Sequence, residues 1–486
     1  MTQQEIYILL PYAILAGGSM FTLLLGAFAP GFGVRRLIYL SAAIALAAAG
    51  GSAFIYSPGT AGVIFVSDGF SRIFTVLASL SAALTLLISV GYVGRRPLGE
   101  EEFPALVLFA AFGMSLLASS TNLLGIFLGL ECMSLALYIM LASNKADPRS
   151  GESGLKYLII GAVSTGFFAY GIAMIYYESG TLSVAEAMAA LSRGGGLSPV
   201  GMVGWGMLLV GLGFKTSLFP FHLWAPDVYE GGPSPVVAFL STASKATVLA
   251  AFIRLALASG TGWDTLTPAL WVICAFTMAF GNIAALTQNN IKRVLAYSSI
   301  AQMGYVLLAL IAAPKTGPVP AIFYLVVYIL MDLGAFGVVA SFSGKDGELG
   351  DIDTLRGLGF RHPFRSFALA ACFISLAGLP PTAGFIGKFG IFFASLKAGY
   401  VYLSVIGIIT AIISMYYYLR VVVYLYMRSE KEDEARAIPV KPKAIPLEDP
   451  AGAFALAVSV ALIIYLGILP GGLLDLLTSL VGSGAS

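Results

Sequence analysis

Three lysines stand inside segments otherwise apolar enough to cross a bilayer: Lys215 in GLGFKTSLFP, Lys245 in STASKATV and Lys388 in GFIGKFGI. A charge at bilayer depth costs about 2.5–3.5 kcal/mol on insertion scales, so such groups face protein or water and mark ion or proton paths. Burial disfavours the charged form of a lysine and a nearby carboxylate favours it. A lysine held between those influences takes up and releases a proton when its partner moves. Glu131, in LGLECMSLALY, is the acidic residue deep in the first half and the natural partner for Lys215, for proton transfer or as a static pair. Lys245 has Ser241 one turn before it and no sequence-local carboxylate. Asp332 is unusual at its depth, and either faces a hydrated cavity or pairs with a lysine.

Three further groups are auxiliary candidates. His222 follows Pro220 and suits proton exchange near neutral pH, or a plain helix-end hydrogen bond. Lys156 either packs and snorkels or relays protons, and Lys292 is equally readable as a basic anchor beside Arg293. Cys132, Cys274 and Cys372 are isolated in apolar stretches and read as small buried hydrophobes, with no CxxC metal site.

The elements that must position these groups are transmembrane helices. With 58% hydrophobic residues, 11% charged and a mean hydropathy of +0.90, the chain is an all-α polytopic membrane protein, and a net charge of +2 gives no reason to expect nucleic acid. Runs of about 20 apolar residues give fourteen spans, near 6–28, 37–56, 70–93, 102–119, 122–142, 154–177, 201–221, 235–259, 267–287, 291–312, 319–342, 364–397, 400–427 and 452–474. The first has no basic leader or cleavage site before or after it and reads as a spanning helix. If the spans alternate, seventeen lysines and arginines fall on one side and only Arg193, Lys315 and Lys397 on the other. That asymmetry predicts a cytoplasmic face for the basic side and both termini on the opposite one.

Two spans are expected to break. Lys215 precedes Pro220, and Lys388 follows the Pro380–Pro381 pair in GLPPTAG, where the helical hydrogen bonds lack donors. Broken helices at membrane depth line cavities or ion sites. Interrupted spans five apart fit two inverted five-helix repeats containing discontinuous helices. The expected division is 1–100 for three N-terminal helices, 101–260 and 261–430 for the repeats, and 431–486 for a linker and the last helix. Residues 181–192 read as a surface helix opened by a Ser183–Glu186 capping box, with Val184, Met188 and Leu191 on the membrane. The charged linker from Arg428 to Pro450, with Pro439, Pro442 and Pro446, is expected to isolate the last helix from the main body.

The strings GLGFKTSLFPFHLWAPDVYEGGPSPVVAFLSTASKA, NNIKRVLAYSSIAQMGY, GLPPTAGFIGKF and LGLECMSLALY resemble the antiporter-like subunits of respiratory complex I, the proton-pumping NADH:quinone oxidoreductase. The segment FHLWAPDVYEGGPSPV followed by STASKA is most similar to the N branch. The resemblance implies a proton-translocating translocase subunit in a bacterial plasma membrane, moving protons through two half-channels. Glu131 and Lys215 would form the first proton-transfer site, Lys245 would carry the path to the centre and Lys388 would end it, with Lys156, His222, Lys292 and Asp332 as auxiliary members. NADH, FMN, iron–sulfur clusters and quinone would belong to partner subunits, no redox motif being readable here. The partners implied are the antiporter-like subunits M and L, small subunits such as K and J, and the lipid bilayer. Alternatives with the same lysines are an Mrp-type cation/proton antiporter subunit and a relative of complex I fed by ferredoxin.

Overall fold

In lipid the backbone of an apolar span must bond to itself, so such segments fold as helices. The computed structural model describes residues 2–427, apart from 56, 63, 64, 97, 100, 192–197, 259–261, 345 and 346, together with residues 449–482. Its first helices are α1 (Gln3–Phe28), α2 (Val34–Phe54), α3 (Gly69–Val93), α4 (Glu102–Ser119), α5 (Leu123–Leu141) and α6 (Pro148–Ser179). A short α7 (Val184–Ala190) precedes α8 (Pro199–Thr216), α9 (Trp224–Gly231), α10 (Ser234–Phe239) and α11 (Lys245–Ala258). Then come α12 (Gly262–Leu286), α13 (Ile291–Thr316), α14 (Val319–Phe342), α15 (Leu358–Arg361), α16 (Pro363–Ala377), α17 (Ala383–Lys397) and α18 (Val401–Tyr426). The last two are α19 (Pro450–Ile468) and α20 (Gly471–Gly482). One small antiparallel hairpin, β1 (Gly59–Ala61) with β2 (Phe65–Ser67), sits between α2 and α3.

Among the described residues, twelve helical stretches are long and apolar enough to cross a membrane, counting Ser234–Ala258 as one. The other two expected spans are present in interrupted form, as α8 followed by α9 and α16 followed by α17. In these two the proline lies inside the expected span and within eight residues of its buried lysine, Pro220 after Lys215 and Pro380–Pro381 before Lys388. At the first break Ser217 adopts a left-handed φ of 58°. Leu218 N there donates to Gly213 O at 2.8 Å, and Phe219 N donates to Thr277 Oγ1 of α12 at 3.0 Å. At the second break Leu379 N donates to Ile374 O at 3.2 Å and Gly384 N to Ser375 Oγ at 3.0 Å. A Cβ on Gly384 would meet Ser375 O at 1.8 Å, so only glycine lets α17 start so close to the end of α16. Each break therefore satisfies its freed backbone groups inside the protein, as membrane depth demands.

The same neighbour relations recur in the two expected units. Helix α4 packs along α5 and α6 along α8, as α12 packs along α13 and α14 along α16 and α17. The centre is the most deeply buried part: α10, α11, α13 and α14 present almost no surface.

Two local expectations are corrected. Helix α7 does not lay its apolar face on the membrane; Val184, Met188 and Leu191 are buried against the protein, with α6, α11 and α12 as neighbours. Its start is fixed by Thr181, whose Oγ1 donates to Glu186 Oε2 at 2.5 Å. Ser183 makes no side-chain cap. The backbone explains the inward turn, since Val184 N donates to Thr121 O at 2.9 Å and Leu123 N to Leu182 O at 2.8 Å. Likewise the last spanning helix is not isolated. Helix α19 packs against α3, α14, α16 and α17, and a Cβ on its Gly467 would lie 2.1 Å from Pro381 O in the second break. The linker residues 428–448, and the basic residues Arg193 and Lys345, lie outside the described residues.

Arg254, near the end of its span, makes a part-buried fork. Its Nη1 and Nη2 reach Asp68 Oδ2 and Oδ1 at 2.9 and 3.1 Å. Its plane also stacks on Phe70 at 4.6 Å. Asp68 caps α3 by accepting from Ser71 N at 2.6 Å. Burial pushes the Asp68 carboxyl up, but the Arg254 charge and these hydrogen bonds outweigh it and hold the group below its ordinary 3.8. The associated stability is present above 3.8 and is lost as pH falls through the depressed value. Asp68→Asn keeps the cap but removes the charge opposite a part-buried guanidinium, which retains its Nε bond to Ala118 O, a loss of about 1.5–3 kcal/mol. A lowered melting temperature of the purified protein is the expected result.

Candidate functional site

Lys215 lies in the last turn of α8, 2% exposed. Its Nζ donates to Ser134 Oγ at 2.7 Å and Tyr138 Oη at 2.9 Å. The rings of Tyr138, Tyr157 and Phe214 surround it at 5.0, 5.3 and 5.6 Å. Glu131, Ser134 and Tyr138 follow each other at i, i+3 and i+7 and so share one face of α5. Glu131 is half-buried and accepts from Thr165 Oγ1 of α6 at 2.7 Å. The expected Glu131–Lys215 pair is thus not a direct one: among the described residues no ion pair within 4.0 Å joins them. Hydroxyls of α5 hold the ammonium and a threonine of α6 holds the carboxylate.

Lys245 is fully buried and follows a π-helical turn, Leu240–Ser244, between α10 and α11. Its Nζ donates to Ser299 Oγ of α13 at 2.7 Å and lies 5.2 Å from the Tyr229 ring. Tyr328 Oη lies 2.7 Å from Ser299 Oγ and 3.2 Å from Asp332 Oδ2. Ser241 Oγ donates to the same Oδ2 at 2.5 Å. The partner of Asp332 is therefore Lys245, reached through Ser299 and Tyr328. Asp332 Oδ1 is buried with no partner among the described residues.

Lys388, in the first turns of α17 and 4% exposed, donates to Leu376 O at 2.7 Å and Ala377 O at 3.4 Å. It thereby takes up carbonyls that the end of α16 leaves free. Gln302 Nε2 of α13 donates to the same Leu376 O at 3.3 Å and to Tyr418 Oη at 2.9 Å. Tyr418 Oη also hydrogen-bonds Ser298, and Tyr324 donates to Gln302 Oε1. Helix α13 thus serves both lysines, through Ser299 toward Lys245 and through Ser298 and Gln302 toward Lys388. Beside Lys388 opens an apolar cleft of about 370 Å³, lined by Phe389, Phe392, Phe393, Ile412 and Met415.

The auxiliary candidates separate. His222 is 2% exposed between Phe219 and Phe280, and neither ring nitrogen has a partner among the described residues. Lys156 is a surface group whose side chain is 42% exposed, paired with Glu152 at 2.7 Å and Asp227 at 3.1 Å. Asp227 and Glu230 in turn bind Arg293 at 3.0 and 2.9 Å, tying α6, α9 and α13 together. Lys292 is not an exposed anchor: 3% exposed, it pairs with Glu348 at 2.5 Å and donates to Gly232 O at 2.6 Å. Sequence reasoning missed Ser299, Tyr328, Gln302, Tyr418 and Glu348. The first four carry only the signal of polar side chains in apolar spans, and Glu348 sits in an acidic loop that names no partner. Among the described residues no cluster of three potential metal ligands gathers.

Interrupted spans, buried lysines and a hydroxyl-rich interior define an antiporter-like membrane subunit. Residues 120–414 match the family described as NADH:quinone oxidoreductase/Mrp antiporter, transmembrane. The chain is 46% identical over 482 residues to the NADH-quinone oxidoreductase subunit N of Geotalea uraniireducens, covering 99% of this chain and 100% of the relative. A chain in the structure of respiratory complex I from Thermus thermophilus with bound aureothin superposes with a TM-score of 0.80 at 34% identity, over 96% of this chain and 98% of that one. A chain of the Mrp complex from a Dietzia species gives a TM-score of 0.85 at 21% identity, over 99% and 97%, and shows the shared fold alone. This chain belongs to the subunit N family of NADH-quinone oxidoreductases.

Proposed function

We propose that the chain is a proton-translocating membrane-arm subunit of an NADH:quinone oxidoreductase. Protons enter near Glu131 and Lys215, pass to Lys245 and Asp332, and leave by Lys388. NADH oxidation and quinone reduction take place in partner subunits, which carry the FMN and iron–sulfur clusters. The neighbours in the membrane are the antiporter-like subunits M and L and small subunits such as K and J. The complex sits in a bacterial plasma membrane with both termini of this chain on the non-cytoplasmic side, as the basic residues imply.

The observation that carries this reading is the buried polar run on α13, which touches both Lys245 and the carbonyl that Lys388 holds. Serine, tyrosine and glutamine side chains both donate and accept. Such a run lines the interval between the two lysines with groups that water can bond to, so a proton can cross it without exposing a charge to lipid. Quinone chemistry elsewhere would act on it indirectly, through charge and conformational change. A tagged chain, gently extracted and run on a native gel stained for NADH-dependent dye reduction, tests the assignment. Co-migration with a large NADH-oxidising assembly is expected. A large assembly without NADH activity would point to another electron donor, and migration with membrane subunits alone to an antiporter.

A further inference from the structure

Outside the lysine path, a polar cavity of about 450 Å³ opens at the end of the central helices, lined among others by Tyr92, Arg96, Asp147, Glu230, Lys292 and Glu348. At about 30 Å³ per molecule it has room for roughly fifteen waters. Glu348 gathers three helices at its wall. Its Oε2 accepts from Lys292 Nζ of α13 at 2.5 Å and from Ser234 Oγ of α10 at 2.7 Å. Its Oε1 accepts from Ser234 N at 3.0 Å and from the Tyr92 hydroxyl of α3. The loop that carries Glu348 is strapped to α13, Ile291 N donating to Gly350 O at 2.7 Å and Ile352 N to Asn289 O at 2.9 Å.

The same helices lead inward. Ser241 lies seven residues beyond Ser234, and Ser299 seven beyond Lys292, about two helical turns or 10 Å in each case. Between these positions Val236, Val237 and Ala238 of the α10 strand of helix, and Val294, Leu295 and Ala296 of α13, are all fully buried and apolar. Phe336 of α14 stands one turn from Asp332 on the same side, its ring 6.0 Å from Tyr229. A dry layer therefore separates a wet cavity from the Lys245–Asp332 cluster, and apolar constrictions of this kind gate by wetting and drying.

We propose that this cavity is a water-filled port on the cytoplasmic side and that the Glu348–Lys292 ion pair is the latch that keeps it closed over the central cluster. The proposal rests on the proton-translocating function and on the orientation given above. Releasing Lys292 frees the Gly232 carbonyl and parts α13 from the Glu348 carboxylate that holds Ser234, which opens the seam where α10 begins. The latch is not a titrating switch. Burial pushes the Glu348 carboxyl up, but the Lys292 charge and the hydrogen bonds from Tyr92 and Ser234 outweigh it and hold it below the ordinary 4.5. Glu348 stays ionised at neutral pH, so the port opens by displacement of the pair.

The test is made on the whole complex in sealed vesicles, with Cys132, Cys274 and Cys372 replaced by alanine and Val237→Cys as a reporter in the dry layer. A membrane-impermeant methanethiosulfonate reagent is added to one face at a time. Modification from the cytoplasmic face is expected to be slow, and about tenfold or more faster with Glu348→Gln, the scale of losing a hydrogen bond to a charged group. Tyr92→Phe, which removes one bond to Glu348 and no charge, is expected to give a smaller increase in the same direction. Equal rates with and without these substitutions, or modification from the opposite face alone, would overturn the latch. Since modification is read without pumping, a failed proton-path assignment and a failed latch give different results.

Discussion

Lys215→Ala is expected to abolish proton uptake by membrane vesicles energised with NADH, while NADH oxidation falls far less. The size of the effect follows from what surrounds the ammonium. Its ligands are two hydroxyls and three aromatic rings, and among the described residues no carboxylate pairs with it within 4.0 Å. Tyr138→Phe keeps the ring and removes one acceptor, so it withdraws about 1.5–3 kcal/mol from the charged state and should slow pumping by roughly tenfold or more. Thr165→Val acts at the other end, releasing the Glu131 carboxylate from its donor. Because Glu131 touches Thr165 and not Lys215, this variant should change the rate of pumping more than its yield per NADH. The ratio of protons moved to NADH oxidised, measured side by side in the three variants, checks the assignment. Normal pumping with alanine at 215 would remove Lys215 from the path.

Much of this architecture is legible in the sequence because membrane segments announce themselves by length. Among the described residues, twelve of the fourteen apolar runs are helical stretches long and apolar enough to cross, and Pro220 and Pro381 mark the two that are interrupted. The three bilayer-depth lysines are equally visible, since each stands several residues from the ends of a run with few other charges. Pairing is what the sequence hides. Glu131 and Lys215 look like partners when only charges are counted, yet uncharged Ser134, Tyr138 and Thr165 take both ends. Asp332 lies 87 residues from Lys245 and reaches it through a serine and a tyrosine, types too common in spans to single out. For Lys292 and Lys156 the sequence leaves alternatives open because their partners are distant: a loop glutamate buries the first, and surface carboxylates hold the second. Amphipathic α7 misleads for a related reason: its apolar face is real, and the fold supplies protein where lipid was expected.

The second large effect is expected at the central cluster, where two opposite charges share a fully buried site without touching. Asp332→Asn leaves the Lys245 ammonium without its anionic counterpart, and Lys245→Met leaves the carboxylate of Asp332 stranded in the same way. Losing one member of a buried pair costs about 3–5 kcal/mol, whereas replacing both with neutral groups is often neutral or stabilising. Each single variant should therefore lower the amount of assembled complex and its melting temperature. The double variant, Lys245→Met with Asp332→Asn, should recover most of that stability and none of the pumping. This separation matters because it divides the two roles the cluster could have. If the charges only held helices together, the recovered double variant would pump normally. If they were not coupled through Ser299 and Tyr328, their costs would add and the double variant would be the least stable of the three. Recovery of assembly without recovery of proton uptake is the outcome that a proton-carrying lysine with a bridged carboxylate requires.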